Sequence, residues 1–155
     1  MSENRKEMLD AIMRAMEIEK DTFDFYTGAE QKTFDQGGKR IFRWLAKTEE
    51  AHYLKLSELY SALEESGRWV FYGGSTISLE EACPDNSCVG SNTGDMEALE
   101  LAMEIEKKGI AYYQELADKT ADPDGKGMLL TLAGEEVEHL RVITEKHNQL
   151  KKAEG

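Results

Sequence analysis

The chain lacks most of what breaks helices, staples small folds or crosses membranes. Only 2 prolines occur among its 155 residues, so long uninterrupted helices are permitted. Its 2 cysteines, Cys83 and Cys88, cannot form a disulfide framework, and a reducing, cytoplasmic setting is expected. No apolar run approaches the roughly 18 residues of a membrane span, and the opening MSENRKEM has no apolar signal core. Basic residues are outnumbered 19 to 31 by acidic ones, giving a net charge of −12. That excludes the basic face needed for nucleic acid or an anionic membrane, and it suits a protein that attracts cations. What remains is 40% apolar and 32% charged, the balance of a helical bundle with a wide solvated exterior. The length is one domain's worth, and residues 1–155 are read as a single domain.

The chain repeats itself. Residues 15–20 read Ala-Met-Glu-Ile-Glu-Lys, and the same six letters return at 102–107, displaced by 87. The same offset carries Tyr26 onto Tyr113, Leu45-Ala46 onto Leu132-Ala133, Glu49 onto Glu136 and His52 onto His139. One constant offset over two separate blocks means two copies of one unit.

Each unit reads as two helices. Ile12, Met16, Glu19, Phe23 and Tyr26 recur at alternating spacings of 4 and 3, as do Phe42, Leu45, Glu49, His52, Leu56, Leu59 and Leu63. Leu99, Met103, Glu106, Ile110 and Tyr113 repeat the first stripe, and Leu129, Leu132, Glu136, His139, Ile143 and Leu150 the second. These are core stripes of amphipathic helices. Helices are expected at about 4–34, 38–66, 95–120 and 123–152, with Gly37-Gly38 as the first break, Asp95 capping the third helix, and Asp122-Pro123 opening the fourth. Each would be a rod of roughly 40 Å. Residues 67–94, with a short helix at Ser78–Ala82, form the connector. The expected fold is all-α: a four-helix bundle of two repeated hairpins joined by one long crossover.

Four glutamates and two histidines stand where leucines should. Glu19, Glu49, Glu106, Glu136, His52 and His139 all lie on the apolar stripes, and no Lys or Arg stands beside them there. A buried unpaired carboxylate is very costly, and four together would repel or take up protons. A pair of divalent ions would offset them. Glu-x-x-His at i and i+3 puts both side chains on one helix face, and it occurs twice, as Glu49/His52 and Glu136/His139. A lone Glu-x-x-His is ordinarily a solvated face; two on core stripes, each partnered by an in-stripe glutamate, form the di-metal carboxylate arrangement. Glu49 and Glu136 are read as bridging, Glu19 and Glu106 as terminal, with one histidine per ion. Oxygen and imidazole ligands suit Fe, Mn or Zn.

The remaining candidates are plainer. Tyr26 and Tyr113 follow the terminal ligands by two turns on the same face, either as hydrogen-bond donors to ligand carboxylates or as ordinary core tyrosines. Met16 and Met103 read as packing, as do Trp44 and Trp69. Glu17, Glu104, Glu50, Glu135 and Glu138 are expected in solvent, Glu30 at a wet helix end, and His147 at the surface. The spacing of Cys83 and Cys88 is not the Cys-x-x-Cys of a metal knuckle.

The order Glu, Glu-x-x-His, long link, Glu, Glu-x-x-His resembles the rubrerythrin branch of the ferritin-like superfamily over about residues 5–150. So does Ala-Met-Glu-Ile-Glu-Lys followed by Phe25-Tyr26 or Tyr112-Tyr113. The resemblance implies two irons between the helices, held by Glu19, Glu49, His52, Glu106, Glu136 and His139, and reduction of hydrogen peroxide, or reaction with oxygen, by the diferrous pair. Two departures stand out. Rubrerythrins proper carry a four-cysteine rubredoxin domain; this sequence ends sixteen residues after His139, so electrons are expected from a separate, rubredoxin-like donor. They also carry a further glutamate one turn after the third-helix ligand, where this chain has Gly109, with Thr22 as its repeat mate. The exchange of that glutamate with the second-helix histidine is then closed, and a symmetric site holding both His52 and His139 is expected. Phe23, Ile110, Leu56 and Ile143 should limit water access. Relatives often dimerise, so a homodimer is expected, with exchange of helix pairs through the crossover as a variant. The alternatives are iron storage and a non-catalytic metal-binding sensor or scaffold. Bacterioferritins share the doubled motif but carry a fifth helix, and a haem-ligating methionine where this chain has Glu50.

Overall fold

The stripes read from the sequence become four long helices in the computed structural model, which describes residues 3–74 and 96–154. They are α1 Glu3–Lys32, α2 Gln36–Ser66, α3 Met96–Lys119 and α4 Pro123–Glu154. Among the described residues there is no strand. No described helix is long and apolar enough to cross a membrane. The expected Ser78–Ala82 helix, the Asp95 cap, and Cys83 and Cys88 lie outside the described residues.

The helix boundaries follow local chemistry, with one departure from expectation. Gly37-Gly38 does not separate α1 from α2; both glycines lie within the first turn of α2. The break falls at Thr33–Asp35. Asp35 is the cap, its carboxylate accepting from the Gly38 N–H at 2.7 Å. A Cβ at Gly38 would approach Thr33 Cγ2 to 2.9 Å, so the glycine is needed for close approach of the turn. Gly67 ends α2 in the left-handed conformation, φ 71°, and its N–H reaches Leu63 O at 3.0 Å. Arg5 of α1 donates to the same carbonyl at 2.8 Å, tying the two helix ends together. Asp122 caps α4 as expected, accepting from the Asp124 and Gly125 N–H groups at 2.9 and 3.1 Å, with Pro123 first in the helix.

α1 packs on α2, and α3 on α4, as two antiparallel hairpins; α1 meets α3 and α2 meets α4 across the centre. The core falls into two apolar clusters. One gathers Leu9, Ile12, Leu56, Leu59, Leu63, Leu116, Leu129 and Leu132. The other gathers Ile41, Phe42, Leu45, Leu99, Ile143 and Leu150. The stripe positions between these clusters carry Glu19, Glu49, His52, Glu106, Glu136 and His139, all buried. One further charge lies on a stripe: Lys146, two turns beyond His139, is 2% exposed and sits 2.9 Å from the capping carboxylate of Asp35. That contact joins the turn between α1 and α2 to α4.

Candidate metal centre

Spacing on four separate helices brings the six stripe residues to one layer, and none is more than 3% exposed. Ligand-type atoms of Glu19, Glu49, His52 and Glu136 lie within 4.8 Å of one another, as do those of Glu49, Glu106, Glu136 and His139. The two groups share Glu49 and Glu136. His52 Nδ1 stands 3.1 Å from Glu136, 3.6 Å from Glu19 and 3.7 Å from Glu49. His139 Nδ1 stands 3.1 Å from Glu49, 3.4 Å from Glu106 and 3.7 Å from Glu136. The arrangement is close to two-fold, with the imidazole rings stacked at 6.1 Å and 13°.

These atoms are near but not hydrogen-bonded. Both Nδ1 atoms, Glu49 Oε1, Glu136 Oε1, Glu19 Oε2 and Glu106 Oε2 are buried without a partner. The closest approaches are 3.1 Å, yet none of the six atoms makes a hydrogen bond. Buried polar atoms are normally paired, so six orphans facing one another fit a cation. The donor set, carboxylate oxygen with imidazole nitrogen, is that of iron, manganese or zinc. The buried group could hold metal ions.

Electrostatics without metal are correspondingly strained. Burial, then the charges of Glu136 and Glu19, push the Glu49 carboxyl well above the usual range. Burial and Glu136 do the same to Glu106. Glu136 goes the other way: burial opposes its ionisation, but the close approach of Glu106, His139 and His52 holds it well below the usual range. Burial disfavours both imidazolium ions, yet the neighbouring glutamates, led by Glu19 for His52 and Glu106 for His139, raise both histidines well above theirs. Without metal, protonation is therefore favoured at Glu49, Glu106 and the two imidazoles.

Of the two roles left open for the tyrosines, the structure shows hydrogen-bond donation to the stripe glutamates. Tyr26 donates to Glu106 Oε1 at 2.5 Å and Tyr113 to Glu19 Oε1 at 2.6 Å. Each reaches across to the glutamate of the other unit. Burial, then the adjacent glutamate charge, raises both phenols, so they stay protonated and donate.

Other expectations are corrected. Glu135 is not a solvated residue: its Oε1 lies 3.0 Å from His52 Nε2 and also accepts from the Tyr72 hydroxyl, which enters from the chain after α2. Thr48 stands in the matching place on the other side. Its Oγ1 lies 2.9 Å from His139 Nε2 and donates onward to Leu45 O at 2.9 Å. Thr48 stands three after Leu45 and four before His52, and Glu135 three after Leu132 and four before His139, but each lies beside a glutamate that occupies the stripe position, so periodicity misses both. The available signal was the repeat, since Thr48 and Glu135 are 87 apart. His147 is not at the surface: its side chain is 16% exposed and lies 3.9 Å from Glu100. Trp44 packs edge-on against His139, centroids 5.0 Å apart, and Tyr72 does so against His52 at 6.0 Å. Leu56 and Ile143 are fully buried beside the layer, whereas Phe23 and Ile110 are only half-buried. Glu17, Glu50, Glu104 and Glu138 are exposed as expected, and Glu30 pairs with Arg43 at 3.1 Å. Thr22 spends its hydroxyl on Ile18 O at 2.8 Å, and Gly109 leaves open the space beside Glu136, so neither adds a ligand.

The Rubrerythrin family model matches residues 2–60 and 97–155, most of the chain and both helix pairs. The chain therefore belongs to the rubrerythrin family, and its bundle is ferritin-like. No curated protein and no solved structure gives a match.

Proposed function

We propose that this rubrerythrin-family chain is a non-haem di-iron oxidoreductase that reduces hydrogen peroxide, with oxygen as a second oxidant and electrons from a separate, rubredoxin-like donor. The observation that carries this reading is the set of six buried, unpartnered ligand atoms in one layer, arranged as two groups of four residues. Glu19, Glu49, His52 and Glu136 would hold one ion, and Glu49, Glu106, Glu136 and His139 the other. Iron bound there would supply two electrons, one per ion, for cleavage of the O–O bond of peroxide, with two protons taken up and two waters released.

The chain's own groups do the rest. Glu49 and Glu136 belong to both groups and set the spacing of the two positions. Tyr26 and Tyr113 hold the terminal carboxylates in orientation through phenolic hydrogen bonds. The protons that Glu49, Glu106 and the two imidazoles hold in the metal-free layer must leave as ions enter, so binding tightens as pH rises. Leu56 and Ile143 exclude water from the layer's two faces.

The test is an anaerobic Fe(II) titration of metal-free protein, with peroxide added at each point and near-ultraviolet ferric absorption followed. A break at about two irons per chain with fast oxidation is expected, and His52→Ala or Glu136→Ala should abolish the oxidation. Two irons bound without peroxide oxidation would move the protein to the sensor or storage class.

A further inference from the structure

The two halves of the layer are duplicated at every ligand, yet not at the residue behind each histidine. Thr48 and Glu135 are repeat mates, each immediately preceding the glutamate shared by both ligand groups on its helix. Each reaches the Nε2 of the other unit's histidine, at 2.9 and 3.0 Å. The partners differ in kind. Thr48 has committed its proton to Leu45 O, so it accepts from His139 as a neutral hydroxyl. Glu135 accepts from His52 as a carboxylate, and the Tyr72 hydroxyl donates to the same oxygen, fixing it in place. A ring donating to a carboxylate is the more electron-rich ligand at its other nitrogen, and its orientation is held by a charge-assisted bond. Glu135 also adds a negative charge to one side of the layer alone.

We propose that the two metal positions are unequal: the position bounded by Glu19, Glu49, His52 and Glu136 takes the first divalent ion, and Glu135 is the positioning residue that makes it so. The inference rests on the di-metal reading above and deepens it. It assigns a direction to a site that the ligand set alone would make symmetric. Filling begins on the His52 side, and Thr48 leaves the His139 side the looser one. Tyr72 reinforces the difference: it meets the His52 ring edge-on, and its hydroxyl donates to the Glu135 oxygen behind that ring.

The experiment is a Co(II) titration of the metal-free protein, read by calorimetry and by the ligand-field bands of each bound ion. Wild type should show two steps, the first about 10- to 100-fold tighter. Glu19→Gln should remove the tight step and Glu106→Gln the weak one. Glu135→Thr, which imports the repeat mate, should bring the two steps together and make the two sets of bands coincide. Glu135→Gln, which keeps size and the Tyr72 contact, guards against misfolding and should loosen the first step alone. Two equal steps in wild type, or unequal steps unchanged in Glu135→Thr and Glu135→Gln, would overturn the inference and leave the metal reading standing. No saturable binding would overturn both.

Discussion

The central layer and the two apolar clusters beside it are built from the same helices and the same stripe positions, yet they obey opposite rules. In the clusters, Leu45, Leu59, Phe42 and Leu129 are fully buried and each contact favours the fold. In the layer, equally buried positions carry four carboxylates and two imidazoles, and burial with mutual charge pushes Glu49, Glu106 and both histidines well above their usual values. The comparison teaches where each property resides. The ends hold the bundle together, and the middle is tolerated because the ends do so. Helices of 24 to 32 residues are long enough to place an apolar cluster on either side of a charged layer.

The sharpest way to break the comparison is to make one substitution in each region. Phe42→Ala should cost about 3–5 kcal/mol, because a fully buried ring leaves a cavity. The loss, read from urea unfolding, should be the same with chelator or with Fe(II). Glu49→Leu should do the reverse. Removing a carboxyl whose ionisation is opposed by burial and by the Glu136 charge should stabilise metal-free protein at pH 8. The same change should erase the rise in Tm that Fe(II) gives wild type. A Glu49→Leu protein less stable than wild type under chelator would show that the layer supports the fold.

A pH series sharpens the contrast without mutation. Glu49, Glu106, His52 and His139 all have raised values in the folded protein. Each stabilises fully below its unfolded value, about 4.3 for Glu and 6.5 for His, and loses that contribution as pH rises through its folded value. Glu136, held low, acts oppositely, contributing above about pH 4.3 and fading only in acid. Metal-free protein should therefore lose stability from pH 5 to pH 8, read by urea titration at each pH. Loading with Fe(II) should flatten or invert the slope, because ligation expels the protons. Stability that rises with pH under chelator would contradict the raised values.

The stripes and the 87-residue offset make the four helices, the hairpin pairing and all six layer residues legible in the sequence. Periodicity carries that much because side chains at 3 and 4 residue spacings must share a face. It cannot see across helices. Glu135 lies about 100° round the helix from Glu136 and reads as a wet residue; only His52, on another helix, turns it inward. Tyr72 comes from a segment with no period at all. Lys146 did sit on the stripe, seven after His139, but its partner Asp35 lies in the turn between α1 and α2, where spacing says nothing. Gly37-Gly38 misplaced the break because glycine there serves close approach within a helix's first turn, while Asp35 provides the stop.

The smallest effect bears on symmetry within the layer itself. Tyr26 and Tyr113 are repeat mates that, unlike Thr48 and Glu135, kept the same residue and the same task. Each donates one hydrogen bond to a terminal glutamate of the opposite unit, at 2.5 and 2.6 Å. Tyr26→Phe and Tyr113→Phe should each cost about 1 kcal/mol in metal-free protein, the net worth of one buried hydrogen bond. Neither should remove an ion, since the phenol acts on the carboxylate's orientation and touches no second ligand group. The two variants should match each other in urea unfolding and in Co(II) affinity, apart from which step moves: Tyr113→Phe the one served by Glu19, Tyr26→Phe the one served by Glu106. If a single variant shifted both steps, the phenols would be coupling the two positions, and the inequality would belong to the whole layer instead of to Glu135.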